Sequence, residues 1–289
     1  MKTIGFIGVG VMGKPMVRNL MKKGFPVSIY TRTKSKVLDV IEEGAVWCDD
    51  VKTCVQDKDV IITIVGYPKD VEEVYFGENG IIANAKPGAV LIDMTTTSPK
   101  LSERIYAEAK PRGISALDAP VSGGDSGAKA GTLSIMVGGD REAFDACQDV
   151  FAAMGTNIIY EGSAGKGQHT KMANQIAIAG ALAGVCEALT YAKRAGLDPA
   201  RVYETIRTGA ARSGQLDIIA PKVLNGDFSA AFYLRHFVKD MGIASQECRD
   251  RGLELEVLEQ VLADCRQIEA EGHGGEGTQA LIRHYPWAD

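Results

Sequence analysis

The chain has 289 residues, 45% of them hydrophobic and 24% charged, with a formal net charge of −5. That length favours two domains with full cores, and an acidic balance without a basic stripe leaves no electrostatic footprint for nucleic acid. Six cysteines (Cys48, Cys54, Cys147, Cys186, Cys248, Cys265) show no CxxC and no metal-ligand spacing, so reduced thiols and no metal site are expected. The chain starts directly on a strand pattern without a signal peptide, which implies a cytoplasmic protein. The most apolar stretch, residues 176–186, is too short to span a bilayer, so no membrane association is expected.

Residues 3–7 read as a short apolar strand that runs straight into Gly8-Val9-Gly10-Val11-Met12-Gly13, followed by an amphipathic helix over 15–23 and a second strand over 27–30. A GxGxxG between strand and helix at the head of such a unit is a dinucleotide-binding turn. Gly8 supplies the tight turn, Gly10 lets a pyrophosphate approach the backbone, and Gly13 lets the helix pack against the strand. The helix N-terminus, with the backbone of Val11 and Met12, offers unpaired N–H groups to the phosphates. The end of the second strand selects the cofactor: a carboxylate there binds the ribose of NAD, a basic residue accepts the 2′-phosphate of NADP. Here the segment is Thr31-Arg32-Thr33-Lys34-Ser35-Lys36, with no carboxylate before Asp39. Thr31, Arg32, Thr33 and Lys36 therefore form the candidate 2′-phosphate site, with NADP(H) preferred and NAD(H) a secondary cofactor. A solvated basic turn is the alternative.

Further strands are expected over 60–65, 89–93, 114–118, 133–137 and 157–160, with helices over 34–43, 70–76, 99–110 and 141–154. Alternation of this kind implies parallel strands joined by right-handed crossovers, and continuous apolar strands imply that both sheet faces are covered. Past the loop at 162–167 the pattern turns all-helical: 168–195, 199–208, 215–224, 238–251, 255–271 and 277–284. The stretch 176–186 has no polar side chain on any face and is expected to be buried all round. The fold class is α/β: a Rossmann-type doubly wound sheet domain, residues 1–163, then an all-α domain built around a long central helix, residues 164–289.

Two further clusters carry chemistry. Asp118-Ala119-Pro120-Val121-Ser122-Gly123-Gly124 closes a strand at the sheet edge where ligands bind in open α/β sheets. Ser122 with the N–H groups of Gly123 and Gly124 can form a nest for a carboxylate; a plain glycine turn is the alternative. Gly165-Lys166-Gly167-Gln168-His169-Thr170-Lys171-Met172-Ala173-Asn174-Gln175 opens the long helix. Lys171, Asn174 and Gln175 share one helix face by their three- and four-residue spacing. Either that face is solvated, or, since the helix turns apolar at the next residue, it looks into a cleft where Lys171 can exchange a proton.

These motifs, with Phe232 and Lys239-Asp240-Met241, resemble the β-hydroxyacid dehydrogenase family, which includes 3-hydroxyisobutyrate dehydrogenases and tartronate semialdehyde reductases, and the likeness runs nearly end to end. The resemblance implies an NAD(P)-dependent enzyme that moves a hydride between nicotinamide and a small β-hydroxy acid or semialdehyde carboxylate of the 3-hydroxyisobutyrate, tartronate semialdehyde, glyoxylate or succinic semialdehyde type. It implies Lys171 as proton donor and acceptor, with Asn174 holding the substrate beside it, a role that falls to the position of Gln175 in some members. Ser122, Gly123 and Gly124 then hold the carboxylate, and Asp240 neighbours the site. Lys239, Thr96, Val65 and Gly66 contact the cofactor, and Arg32 matches the basic residue of NADP-using members. The family and the Gly/Ala-rich long helix imply a homodimer or homotetramer. The chain departs from the family pattern at Gly272-His273-Gly274-Gly275-Glu276, where a more acidic loop is usual, and His169 and His236 gain no role. A noncatalytic NADP-binding module of the same fold would most simply lack the lysine, and imine reductases usually replace it.

Overall fold

The computed structural model describes residues 1–287. Its first compact unit, Met1–Lys171, is organised by nine strands: β1 Ile4–Ile7, β2 Val27–Tyr30, β3 Val46–Trp47, β4 Val60–Thr63, β5 Val90–Asp93, β6 Ser115–Asp118, β7 Val121–Ser122, β8 Leu133–Gly139 and β9 Gly155–Gly162. They lie in the order β3-β2-β1-β4-β5-β6-β8-β7, with β9 pairing β8. Successive side chains of a strand point to opposite faces. Phe6, Ile62 and Ile92 accordingly enter one buried apolar cluster, and their neighbours Ile7, Ile61 and Leu91 enter another on the opposite face. Both faces are covered, which is why these strands read as unbroken apolar runs.

β1 to β6 pair in parallel, as the alternating pattern implies, but the far side of the sheet does not follow. β8 runs antiparallel to both β6 and β7, and β9 runs parallel to β8. A parallel return needs a crossover of about a dozen residues or more. After β7 the chain has only the helix Gly124–Ala130, seven residues ended by Gly131 in the left-handed conformation, and it re-enters the sheet reversed. The helix expected over 34–43 is a 3₁₀ turn, Lys34–Lys36, and a short helix, Leu38–Glu42, separated at Val37. That expected over 141–154 is broken at Cys147 into Arg141–Ala146 and Gln148–Met154. Three short helices, Val51–Val55, Ile81–Asn84 and Gly124–Ala130, carry too few residues to show a period.

The long helix is Lys166–Arg194, and the boundary between the two compact units falls within it, after Lys171. The second unit adds Pro199–Ile206, Gly214–Leu224, Leu234–Arg249 and Glu256–Ala270. Its last turns, Thr278–His284, are 3₁₀ rather than α. Ala179, Leu182, Cys186 and Leu189 of the long helix are buried in one cluster with Phe237, Met241, Leu262 and Cys265. The expectation that residues 176–186 are buried on every side is wrong for the chain by itself. Ala173, Ala177 and Gly184 are exposed, and Ile176 and Ile178 only half-buried. Helices pack on one stripe of this cylinder and leave the opposite stripe of small residues uncovered. Residues 176–186 are part of a longer element: the full helix Lys166–Arg194 is by length and composition apolar enough to cross a bilayer. The core helix of a folded domain passes the same test, and the buried stripe here serves such a core.

Candidate active site

The glycine turn forms as its residues dictate. Gly8 has φ +98°, a conformation that favours glycine, and donates its N–H to the carbonyl of Tyr30 at 2.9 Å. A methyl group on Gly13 would stand 2.1 Å from the Gly8 carbonyl oxygen, so only glycine lets the helix Gly13–Lys22 start this close to the turn. Gly10 has open space where a side chain would be, and Val11 is exposed. This cradle fits a pyrophosphate at the N-terminus of a helix. Beside it lies a cavity of about 610 Å³ lined in part by Gly10, Val11, Lys14, Arg18, Lys36 and Lys129.

Arg32, Thr33 and Lys36 are exposed beyond β2 and Thr31 is half-buried. Arg32 is not alone: its Nη1 lies 3.4 Å from Oδ1 of Asp70, an acidic partner that the local sequence gave no reason to place there. Val65 and Gly66 follow β4, and the Val65 N–H donates to Oγ1 of Thr95 at 2.9 Å, tying this segment to the one that carries Thr96.

The ends of β5 and β6 hold two buried carboxylates in register, Asp93 and Asp118. Asp118 caps the turn that opens the long helix: its Oδ1 accepts from the Gly165 N–H and its Oδ2 from the Gln168 N–H, each at 2.8 Å. Burial raises its pKa, and those two N–H groups oppose the shift. Gln168, fully buried, accepts from the Thr97 N–H at 3.1 Å and donates to the Thr95 carbonyl at 2.7 Å. The start of the long helix and the Thr95–Thr96–Thr97 loop are thereby locked together. One turn on, Lys171 is 6% exposed, and its Nζ donates to the Val121 carbonyl at 2.8 Å, one residue before Ser122. Gly123 and Gly124 both have positive φ, +128° and +61°, conformations that favour glycine, and Gly123 is the N-cap of the helix Gly124–Ala130, whose first N–H groups have no partner within the helix. Asp93 accepts from Thr63 Oγ1 at 2.8 Å and from the Thr95 N–H at 3.1 Å, while its Oδ2 is buried with no partner. Burial first of all pushes its pKa up to about 6.

Asn174, Gln175, Lys239 and Asp240 form a chain within the second unit. Asn174 donates to Gln175 Oε1 at 2.7 Å, and Gln175 donates to Asp240 Oδ2 at 2.7 Å. Lys239 Nζ is 2.9 Å from the other oxygen of Asp240, ion-paired but off the hydrogen-bond direction. Either amide can therefore be ordered through Asp240, and Gln175, nearly inaccessible, is the one directly anchored. His273 pairs with Glu276 at 3.1 Å. Among the described residues no group of three His, Cys, Asp or Glu side chains could hold a metal ion.

Sequence reasoning missed Asp70, Asp93 and Gln168 as site residues, and took Asp118 only as part of a motif. Polar residues at the ends of apolar strands were the available signal for the two buried aspartates; Asp70 and Gln168 act through partners distant in the chain.

Residues 3–162 match the NAD-binding domain of 6-phosphogluconate dehydrogenase, and residues 165–285 match the family described as NAD-binding of NADP-dependent 3-hydroxyisobutyrate dehydrogenase. An uncharacterized oxidoreductase of Bacillus subtilis is 54% identical over 282 residues, 98% of either chain. A 3-hydroxyisobutyrate dehydrogenase-like protein of Arabidopsis thaliana is 43% identical over 96% of this chain and 84% of its own. The structure of Mycobacterium tuberculosis 3-hydroxyisobutyrate dehydrogenase with L-serine superposes with a TM-score of 0.89 at 28% identity, covering 98% of both chains.

Proposed function

The chain belongs to the NAD(P)-dependent β-hydroxyacid dehydrogenase family, and from that premise we propose an NADP(H)-preferring enzyme that interconverts a small β-hydroxy acid and the corresponding semialdehyde carboxylate. The observation that carries the reading is the buried Lys171 with its Nζ beside the Val121–Ser122–Gly123–Gly124 turn, an amine next to a serine and two glycine N–H groups. L-Serine, bound to the Mycobacterium tuberculosis relative, is itself a small 3-hydroxy acid. The 3-hydroxyisobutyrate and tartronate semialdehyde types fall in this class; glyoxylate and succinic semialdehyde, whose carbonyls lie one carbon nearer to and one carbon farther from the carboxylate, present the same two groups.

Bound nicotinamide supplies or accepts the hydride. The protein's share is positioning and proton transfer. Ser122, Gly123 and Gly124 hold the carboxylate. Lys171 gives a proton to the carbonyl oxygen in reduction and takes it from the hydroxyl in oxidation. Asn174, Gln175 and Asp240 orient the substrate, and Val65, Gly66, Thr96 and Lys239 contact the cofactor. The N–H groups from Gly10 to Gly13 receive the pyrophosphate, while Gly8 supplies the turn. Thr31, Arg32, Thr33 and Lys36 receive the 2′-phosphate; a hydrogen bond to a charged group contributes about 1.5–3 kcal/mol. Residues 1–163 form the cofactor domain and residues 164–289 the substrate and dimerisation domain of a cytoplasmic homodimer or homotetramer.

The test is a panel assay of NADPH and NADH oxidation against small semialdehydes and glyoxylate, with Arg32→Ala alongside. The reading expects turnover of at least one carboxylate-bearing carbonyl and a tenfold or greater loss of NADPH affinity in the variant, as about 1.4 kcal/mol or more implies. Turnover confined to substrates without a carboxylate would overturn it.

A further inference from the structure

The ion pair between Arg32 and Asp70 joins segments that are not neighbours in the sheet. Arg32 follows β2 and Asp70 follows β4, and β1 lies between those two strands. The pair therefore reaches across the C-terminal end of β1, where the glycine turn begins. That is the edge over which the adenosine half of a dinucleotide lies in this type of fold. Its two members are held very differently. Asp70 is the third residue of the helix Pro68–Tyr75, 19% exposed, and its Oδ2 accepts from the Tyr67 N–H at 2.9 Å. The same oxygen lies 3.0 Å from where a side chain on Gly66 would begin, so the carboxylate is folded back over the Val65–Gly66 segment. Arg32 is 77% exposed on the turn after β2. The acid is anchored, and the guanidinium reaches it from an exposed turn.

We propose that Asp70 is a specificity-determining residue that competes with the cofactor's 2′-phosphate for Arg32. Resting on the NADP reading above, this deepens it. A guanidinium engaged by a fixed carboxylate must leave it, or share it, to receive a phosphate, and the carboxylate also repels the incoming dianion. NAD carries a hydroxyl at that position and meets neither cost. Asp70 thus restrains the preference for NADP that Arg32 confers, and holds NAD within reach. Helix capping alone would leave the two cofactors equally affected.

The experiment is a fluorescence titration of the full-length protein with NADPH and with NADH, for wild type, Asp70→Asn, Arg32→Ala and the double variant. Asparagine keeps an oxygen to accept from the Tyr67 N–H, so the cap survives while the charge is removed. An exposed pair of this kind predicts that Asp70→Asn tightens NADPH about two- to fivefold. NADH affinity stays unchanged, and the gain vanishes on the Arg32→Ala background. Unchanged or weaker NADPH binding in Asp70→Asn, or an equal change for NADH, overturns the role of Asp70. If Arg32→Ala still weakens NADPH selectively in that case, the NADP reading stands and only this inference falls. If wild type binds both cofactors alike and Arg32→Ala changes neither, the NADP reading falls first.

Discussion

Lys171 donates from Nζ to the carbonyl oxygen of Val121 at 2.8 Å, so the amine of the long helix is held at the strand-end turn that carries Ser122. A backbone carbonyl can steady a lysine without taking its proton, which leaves the amine oriented and still able to donate. Replacing Lys171 with alanine should lower turnover by about 10²–10⁴, the usual contribution of a positioned acid or base. Cofactor affinity should be preserved, because the glycine turn and the Arg32 segment are untouched. Steady-state rates with a titration of NADPH binding separate the two; near-normal turnover in the variant would falsify the assignment.

Gln168 ties two backbone groups of the Thr95–Thr97 loop to the start of the long helix, and it does so without exposure to water. Gln168→Leu leaves the Thr97 N–H and the Thr95 carbonyl buried and unsatisfied, at about 1–3 kcal/mol for each. Chemical denaturation should register a loss of about 2 kcal/mol or more. Cofactor binding should weaken as well, since Thr96 sits within the loosened loop. A variant as stable as wild type would mean that the loop finds other partners.

How much of this was legible in the sequence depends on the reach of each interaction. The glycine turn was readable because its constraints are local: Gly8 needs its backbone conformation and Gly13 its close approach within one turn of chain. The parallel strands β1, β2, β4, β5 and β6 were readable because burial on both faces writes an unbroken apolar run. The reversal at β8 was not, because it turns on the length of a seven-residue helix with no periodic signature. Lys171 announced itself by standing where a polar helix face gives way to an apolar one. Asp118 capping a helix that starts at Lys166, and Asp70 meeting Arg32, are bonds between distant segments, and composition and spacing are silent about them.

Asp93 makes a prediction about pH. Burial raises its pKa from 3.8 to about 6, above the value it has in an unfolded chain. Between those values the folded state binds more protons than the unfolded one, so the contribution of this group to stability falls as pH rises from about 4 to 6. At ~1.4 kcal/mol per pKa unit the change is about 3 kcal/mol. Asp93→Asn keeps an oxygen for Thr63 and the Thr95 N–H and cannot ionise. Urea midpoints of the two proteins at pH 4 and pH 7 should therefore diverge in favour of asparagine as pH rises. A stability difference that stays constant across that range would show that the Asp93 carboxyl is ionised throughout.

The uncovered stripe of the long helix tests the assembly. Ala173, Ala177 and Gly184 are exposed and fall on one side of the cylinder, while the opposite side is filled by Leu182, Cys186 and Leu189. Small residues allow two helices to approach closely, and a stripe of them left in water offers little by itself to the stability of the chain. Ala177→Glu places a charge in the middle of that stripe without touching the core. A charge desolvated without a partner costs several kcal/mol at an interface and almost nothing in water. Light scattering after size exclusion should show wild type as a dimer or larger and Ala177→Glu shifted to a smaller species, still folded by circular dichroism and with a thermal transition that no longer rises with protein concentration. Wild-type mass equal to one chain, or no shift in the variant, would place any association elsewhere on the surface.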